Sequence, residues 1–117
     1  MSYMLLILEP PGQRAARTEA EGHAVYDRML GFAAELKARG VLKAAESLRT
    51  DTDGVRIRTG PGRSQTLDGP FTEAKEMIGG FFLLDCATRE EAIAIARQCP
   101  AAEWATVEVR SLGPCFT

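Results

Sequence analysis

The segment that decides the fold begins with a polar loop, Asp68-Gly69-Pro70-Phe71-Thr72-Glu73-Ala74-Lys75-Glu76, and continues into an apolar run, Ile78-Gly79-Gly80-Phe81-Phe82-Leu83-Leu84. The Gly-Pro pair predicts a turn, because glycine accepts positive φ and proline fixes φ at about −65°. The apolar run has the length and composition of a strand that is buried on both faces. We therefore expect an ionisable loop at the mouth of a buried strand, where pKa values are easily shifted.

Two capping boxes outside this segment predict the starts of two helices. Thr18 and Glu21, and likewise Thr88 and Glu91, have the spacing in which a hydroxyl and a carboxylate cap each other's backbone N–H groups. Apolar residues at helical period follow the first box as far as a glycine at position 40, and a proline at position 100 ends the second helix. Apolar or alternating segments predict strands at residues 3–8, 41–48, 55–59, 64–67, 78–86 and 104–112.

The order of these elements is β-α-β, a hairpin and β-α-β within one domain, residues 1–117. This order predicts an α+β fold: a ferredoxin-like βαββαβ sandwich with an inserted β-hairpin, and with both helices on one face of an antiparallel sheet. Strands 3–8 and 78–84 are apolar at both alternating sets of positions, so both faces of the sheet need cover. Because two helices cover only one face, we expect a homodimer to cover the other.

Composition limits the partners and the location of the chain. The formal net charge is −2 and the basic residues are scattered, which argues against direct binding to nucleic acid. No apolar run approaches the ~20 residues of a membrane-spanning helix, and no secretory signal is visible. The three cysteines lack metal-type pair spacing, and Cys86 and Cys99 fall at core positions. A reducing compartment, the cytoplasm, is therefore expected.

Asp68 is the leading candidate for a catalytic residue. In apolar surroundings its carboxyl group would have a raised pKa and would suit a general acid or base. The structural alternative is that its carboxylate accepts backbone N–H bonds from the turn that follows it. The two roles are compatible, and the sequence does not choose between them.

Four further side chains are candidates for ligand binding, and each has a structural alternative. Phe71 is either a pocket wall or a plug that closes the loop onto the sheet. Glu73 and Lys75 either bind a polar ligand or belong to a short solvated helix at residues 72–76. Arg110 shares a strand face with Glu108, and these two either line the cavity, with Arg110 as an anion anchor, or simply pair across strands.

Tyr3, Tyr26 and Glu46 are candidates for a cavity between sheet and helix, whereas the single histidine, His23, is expected at the surface. The sequence contains no Cys/His cluster for a metal, no glycine-rich phosphate loop before a helix, and no serine in a nucleophile elbow. Neither a metal nor a cofactor is therefore expected.

The polar loop and the apolar run together resemble the YCII-related family, in its DGPF subgroup. Residues 68–71, then Glu73, Lys75 and Glu76, and then residues 79–81 match the subgroup's signature without a gap. Weaker likeness extends over nearly the whole chain. The resemblance implies a ferredoxin-like α+β fold that pairs into a dimeric α/β barrel.

The resemblance carries less information about chemistry. Other branches of the family resemble small enzymes with a His and Asp pair on the first helix and a nearby loop. Here His23 lies about a turn and a half too early for that pattern, and Met29 stands near the expected histidine position. A His-based mechanism is therefore not expected. Members of the DGPF subgroup are mostly of undefined function, and some are associated with sigma factors of the extracytoplasmic-function class.

Two hypotheses of function follow. The first is a homodimer that binds a small organic molecule in a cleft beside Asp68, with cofactor-free acid–base chemistry as its reaction class and Arg110 as the anion anchor. The second is a non-enzymatic accessory module whose dimer surface contacts a regulatory partner such as a sigma factor. A deep cavity that holds Asp68 favours the first hypothesis, and an exposed apolar surface elsewhere favours the second.

Overall fold

The structure, a computed structural model, describes residues 1–117. Six strands and two helices occur in the predicted order: β1 (Ser2–Glu9), α1 (Glu19–Ala38), β2 (Leu42–Ser47), β3 (Val55–Gly60), β4 (Arg63–Asp68), β5 (Met77–Asp85), α2 (Arg89–Gln98) and β6 (Thr106–Ser111). Short 3₁₀ helices at Asp51–Asp53 and Pro100–Glu103 precede β3 and β6.

Four strands form one antiparallel sheet in the order β2-β5-β1-β6, while β3 and β4 form a separate two-stranded hairpin. The two central strands are the first strands of the two βαβ units, which is the arrangement of a ferredoxin-like sandwich. The predicted α+β fold with an inserted hairpin is confirmed.

Both helices begin at the predicted threonines. Thr18 Oγ1 accepts a hydrogen bond from Glu21 N at 3.1 Å, and Glu21 Oε1 accepts one from Thr18 N at 2.9 Å, which completes the capping box of α1. At α2, Thr88 Oγ1 accepts from Glu91 N at 3.1 Å, but the Glu91 carboxylate accepts from Ala87 N instead of from the threonine. The second predicted box is therefore only half formed.

Two predicted segments are shorter than the sequence suggested. The last strand begins at Thr106, because Trp104 N and Ala105 N both donate to Ala101 O, at 3.1 and 2.7 Å, and so belong to the turn after the 3₁₀ helix. The helical segment predicted at residues 72–76 is a single turn, closed by Ala74 N donating to Phe71 O at 3.0 Å.

The sheet has two faces of different character. Along β1, Tyr3, Leu5, Ile7 and Glu9 are buried on the side of the helices and alternate with half-buried residues, as the period of a strand requires. The helices supply the other half of this core: Phe32 and Leu36 from α1, and Ala92, Ile95 and Ala96 from α2.

The opposite side of the sheet, which we call the outer face, has an apolar centre that the helices do not cover. This centre comprises the half-buried residues Met4, Leu6, Leu8, Phe81 and Leu83. The molecule is a slab of 49 × 42 × 19 Å. The smallest extent fits one sheet and one layer of helices, since a helix with its side chains is about 10 Å wide. Two helices thus cover one face, as predicted.

The cysteines occupy the positions that the sequence suggested. Cys86 and Cys99 are buried, all three cysteines are free, and Cys115 is exposed in the C-terminal segment. Burial raises the pKa of the Cys99 thiol and also that of Cys86. Both buried thiols therefore act as small apolar core residues. Neither helix is long and apolar enough to cross a membrane.

Candidate functional site

A cavity of ≈ 370 Å³ lies between α1 and the helix-facing side of the sheet. We call it the α1 cavity. Its size falls within the usual range of small-molecule sites. Its walls are mostly apolar and come from α1, from β1, β2 and β5, and from the turn before β6: Ile7, Val25, Met29, Leu30, Ala33, Ala45, Phe82, Ala101 and Trp104.

A buried ion pair borders this cavity. Glu9, the last residue of β1, has the helix-facing orientation of Tyr3, Leu5 and Ile7 and is only 5% exposed. Arg14, from the connection between β1 and α1, places Nε 2.5 Å from Glu9 Oε1. The Nε–H is not directed at this oxygen, so the contact is an ion pair and Oε1 has no hydrogen-bond donor.

The remaining nitrogens of Arg14 tie the connection to two strands. NH1 donates to Leu48 O at 2.7 Å, next to the end of β2, and NH2 donates to Gly79 O at 3.2 Å in β5. One side chain therefore holds the end of β1, the connection to α1, β2 and β5 together. This fixes the border of the cavity on rigid elements.

The same ion pair explains the glycines of the sequence signature. A Cβ on Gly79 would lie 2.6 Å from Glu9 Oε2 and 2.8 Å from Arg14 NH2. A Cβ on Gly80 would lie 2.8 Å from Glu46 O of the neighbouring strand. All three distances are shorter than a packed carbon tolerates, so the Gly-Gly pair is needed here for close approach rather than for an unusual φ.

Arg17 is the other guanidinium of the α1 cavity. No carboxylate lies within salt-bridge distance of it, although its charge contributes, after the hydrogen bonds with Thr18, to lowering the pKa of the exposed Glu21 carboxyl group. Its NH2 donates to Gln13 Oε1 at 3.2 Å, and its guanidinium carbon lies 5.8 Å from the centroid of the Trp104 ring. It makes no salt bridge. By contrast Arg28, at 5.4 Å from the same ring, does not line the cavity and is paired with Glu103.

Tyr26 and Glu46 also border the α1 cavity, as predicted, whereas Tyr3 is buried in the core away from it. Tyr26 is 51% exposed and stands at the rim. Glu46 pairs with Phe81 in the sheet, so strand alternation places its side chain on the outer face and its backbone beside the cavity. Because Glu9 and Arg14 neutralise each other, Arg17 leaves one positive charge in excess among the side chains of the cavity.

Asp68 lines neither the α1 cavity nor the second cavity, which lies at the base of the hairpin and is described below. It is exposed at the end of β4, opposite Val55, and the backbone beside it is held by Gly69 N donating to Gly54 O at 2.8 Å. The carboxylate that accepts a hydrogen bond from this loop belongs to Asp51: Phe71 N donates to Asp51 Oδ2 at 3.1 Å. Asp68 lines neither of these two cavities, and the acid that accepts from the backbone of the turn is Asp51, 17 residues earlier in the chain. A binding or catalytic role for Asp68 stays a prediction.

The predicted ligand-binding residues of the loop do not converge with Asp68. Phe71 lines a second, more polar and open cavity of ≈ 570 Å³ at the base of the hairpin, with the Arg56 guanidinium 3.9 Å from its ring centroid. Its ring also packs on Gly54. Glu73 and Lys75 are exposed on the turn and line neither cavity.

Arg110 lies on the outer face, because it pairs with Met4 in the sheet. Its NH1 is 3.4 Å from Glu108 Oε2, so the ion pair lies within β6 and not across strands as the structural alternative predicted. Its role as an anion anchor stays a prediction. His23 is exposed on α1, with Nε2 3.8 Å from Glu19 Oε1. This confirms the surface position predicted for His23.

Sequence reasoning missed Glu9, Arg14, Arg17 and Trp104. One signal could have identified Glu9. It follows Tyr3, Leu5 and Ile7 at every second position of β1, so the strand alternation places its charge on the buried face. A charge at such a position requires a partner. Arg14 and Arg17 had no comparable signal, since only the path of the connection brings them to the cavity.

A substitution at Gly79 tests the close approach of the ion pair. We expect Gly79→Ala to lower the free energy of unfolding by about 1–3 kcal/mol, because the added methyl group displaces the Glu9 and Arg14 side chains. The matched control is Gly31→Ala on α1, where nothing lies within 4 Å of the added carbon; this change should stabilise by about 0.5–1 kcal/mol. Urea unfolding measures both. Equal effects in the two variants would contradict the described packing.

Three comparisons place the chain among known proteins. The family model of the YCII-related domain matches residues 1–115. An uncharacterized protein of Rhizobium meliloti (strain 1021) is 31% identical over 114 residues, which cover 96% of this chain and 92% of that protein.

Among solved structures, 5-chloro-2-hydroxyhydroquinone dehydrochlorinase (TftG) from Burkholderia phenoliruptrix AC1100, in complex with 2,5-dihydroxybenzoquinone, matches with a TM-score of 0.56. Its sequence identity is 15%, and the match covers 97% of this chain and 94% of that chain. At this identity the likeness shows a shared fold. The family model over residues 1–115 and the relative that is 31% identical show that this chain belongs to the YCII-related domain family.

Proposed function

We propose that this protein is a cytoplasmic homodimer that binds a small organic ligand in the α1 cavity. The observation that carries the proposal is a cavity with mostly apolar walls and a few charged groups held on rigid elements, the usual composition of a small-molecule site. The ligand-bound dehydrochlorinase of the same fold supports a binding role. Free, buried Cys86 and Cys99 support a reducing compartment.

The groups at this cavity suit proton transfer better than nucleophilic or metal-assisted chemistry. They offer one carboxylate at Glu9, a phenol at Tyr26 and guanidinium groups from Arg14 and Arg17. Cofactor-free acid–base chemistry on the bound ligand is therefore the reaction class that we propose, should the protein be an enzyme. The proton carrier proposed is Glu9 in place of Asp68, which lines neither cavity.

The homodimer is proposed from the outer face. Its apolar centre lies beside two opposite charges, Glu108 and Arg110. A second copy related by a twofold axis can therefore place its own apolar centre against this one and its arginine against this glutamate. In this assembly the two sheets would face each other as a dimeric α/β barrel. Arg110 then serves the contact between copies rather than the ligand.

One observation favours the alternative function, an accessory module that contacts a protein partner such as a sigma factor. Three apolar side chains of the β3–β4 hairpin, Val55, Ile57 and Leu67, are 54%, 66% and 58% exposed. Isolated two-stranded hairpins with exposed apolar residues are commonly stabilised by a partner. Failure of the ligand test below would leave this alternative as the better supported one.

Ligand binding to the α1 cavity can be tested with one- and two-ring fluorinated aromatic fragments observed by ¹⁹F NMR. We expect some fragments to bind the unmodified protein and to lose binding in Ala33→Phe, because the new ring fills the cavity that Ala33 lines. Ala34→Phe is the control, since Ala34 is exposed on the same helix and does not line the cavity. No fragment binding, or binding unaffected by Ala33→Phe, would contradict the proposed function.

The dimer can be tested by sedimentation velocity at micromolar concentration. We expect the unmodified chain to sediment as a dimer and Leu6→Arg to sediment as a monomer or to lose solubility, because a charge at the centre of the outer face faces its own copy across the twofold axis. Ala24→Arg, at an exposed position of α1, should remain dimeric. A monomeric unmodified chain would rule the dimer out.

A further inference from the structure

Glu9 is a buried charge whose hydrogen-bonding capacity the protein leaves unused. Its Oε1 is sealed against Arg14 and has no donor. Its Oε2 is not among the fully buried oxygens and receives no hydrogen bond from any protein group. Glu9 itself lines the α1 cavity. Oε2 is therefore the oxygen that a molecule in the cavity can reach. The ion pair with Arg14 compensates the charge of Glu9, but an oxygen without a hydrogen-bond donor still favours a ligand that supplies one.

Arg17 provides the complementary contact. Arg14 has a carboxylate and two carbonyl oxygens as direct partners. The direct contacts of Arg17 are the amide oxygen of Gln13 and the face of Trp104, and its nearest acid, Glu21, interacts with it beyond salt-bridge distance. A guanidinium presents several N–H donors in a plane and binds carboxylate or other oxyanions in preference to neutral groups. The charge in excess at the cavity therefore favours an anion and disfavours a cation.

We propose that the ligand of the α1 cavity is a small organic anion that also carries a hydroxyl or amino group. Its donor bonds Glu9 Oε2, its anionic group pairs with Arg17, and its apolar body lies against Met29 and Ala33 of α1. This ligand class rests on the proposed function, because it assumes that the α1 cavity binds a ligand at all.

The contributions of the two polar contacts can be separated with three one-ring probes. 4-Hydroxybenzoate carries both the donor and the anion, 4-methylbenzoate lacks the donor, and 4-cresol lacks the anion. We expect 4-hydroxybenzoate to bind about tenfold more tightly than either of the others, since each comparison removes one charge-assisted contact. Titrations followed by ¹H–¹⁵N correlation spectra measure the three affinities and show whether Met29 and Ala33 respond.

Two variants assign the contacts. In the double variant Glu9→Leu with Arg14→Leu, which removes the buried pair together, the advantage of 4-hydroxybenzoate over 4-methylbenzoate should disappear. In Arg17→Met its advantage over 4-cresol should disappear. Arg28→Met is the matched control, because Arg28 lies over the same Trp104 ring but is paired with Glu103 and does not line the cavity; both advantages should persist.

The outcomes distinguish this inference from the proposed function. If the three probes bind the cavity with equal affinity, or if Arg17→Met and Arg28→Met behave alike, the ligand class is wrong while the cavity remains a binding site. If no probe binds and Ala33→Phe has no effect on any fragment, the proposed function and the ligand class both fail.

Discussion

The structure depends above all on the ion pair between Glu9 and Arg14. A charge at the end of a buried strand is expensive unless it is paired, and here the partner comes from the connection that leads to α1. Because Arg14 also bonds the carbonyl groups of Leu48 and Gly79, the pair sets how β1, β2 and β5 meet at one corner of the sheet. The α1 cavity opens at this corner, so fold and candidate site share one interaction.

A second constraint comes from the arrangement of apolar residues in the sheet. Two helices cover one face, and the α1 cavity lies within that covered layer, whereas the outer face has an apolar centre that the helices leave uncovered. The candidate ligand site and the proposed contact between copies are therefore on opposite sides of the same strands. A ligand that orders α1 and a partner that orders the outer face would both stabilise β1 and β5.

The fold could be predicted from sequence because it depends on local patterns: two threonine caps, the apolar periodicity of α1 and the long apolar run of β5. The site could not, because it depends on contacts distant in sequence. Asp68 stands in the conspicuous motif, yet Asp51 makes the hydrogen bond to Phe71 that was expected of it. The glycines at 79 and 80 are, in the sequence, simply part of an apolar strand, and only the positions of Glu9, Arg14 and Glu46 in the structure show why no side chain fits there.

The most direct test of this account is a double-mutant cycle on Glu9 and Arg14, measured as free energies of unfolding in urea for the unmodified protein, Glu9→Leu, Arg14→Leu and the double variant. Arg14→Leu should leave the buried Glu9 carboxylate unpaired and destabilise strongly, Glu9→Leu should leave the half-buried Arg14 unpaired and destabilise less, and the double change should restore balance. The account predicts a coupling energy of about 2 kcal/mol or more between the two residues. Additivity of the two single changes to within about 0.5 kcal/mol would contradict it.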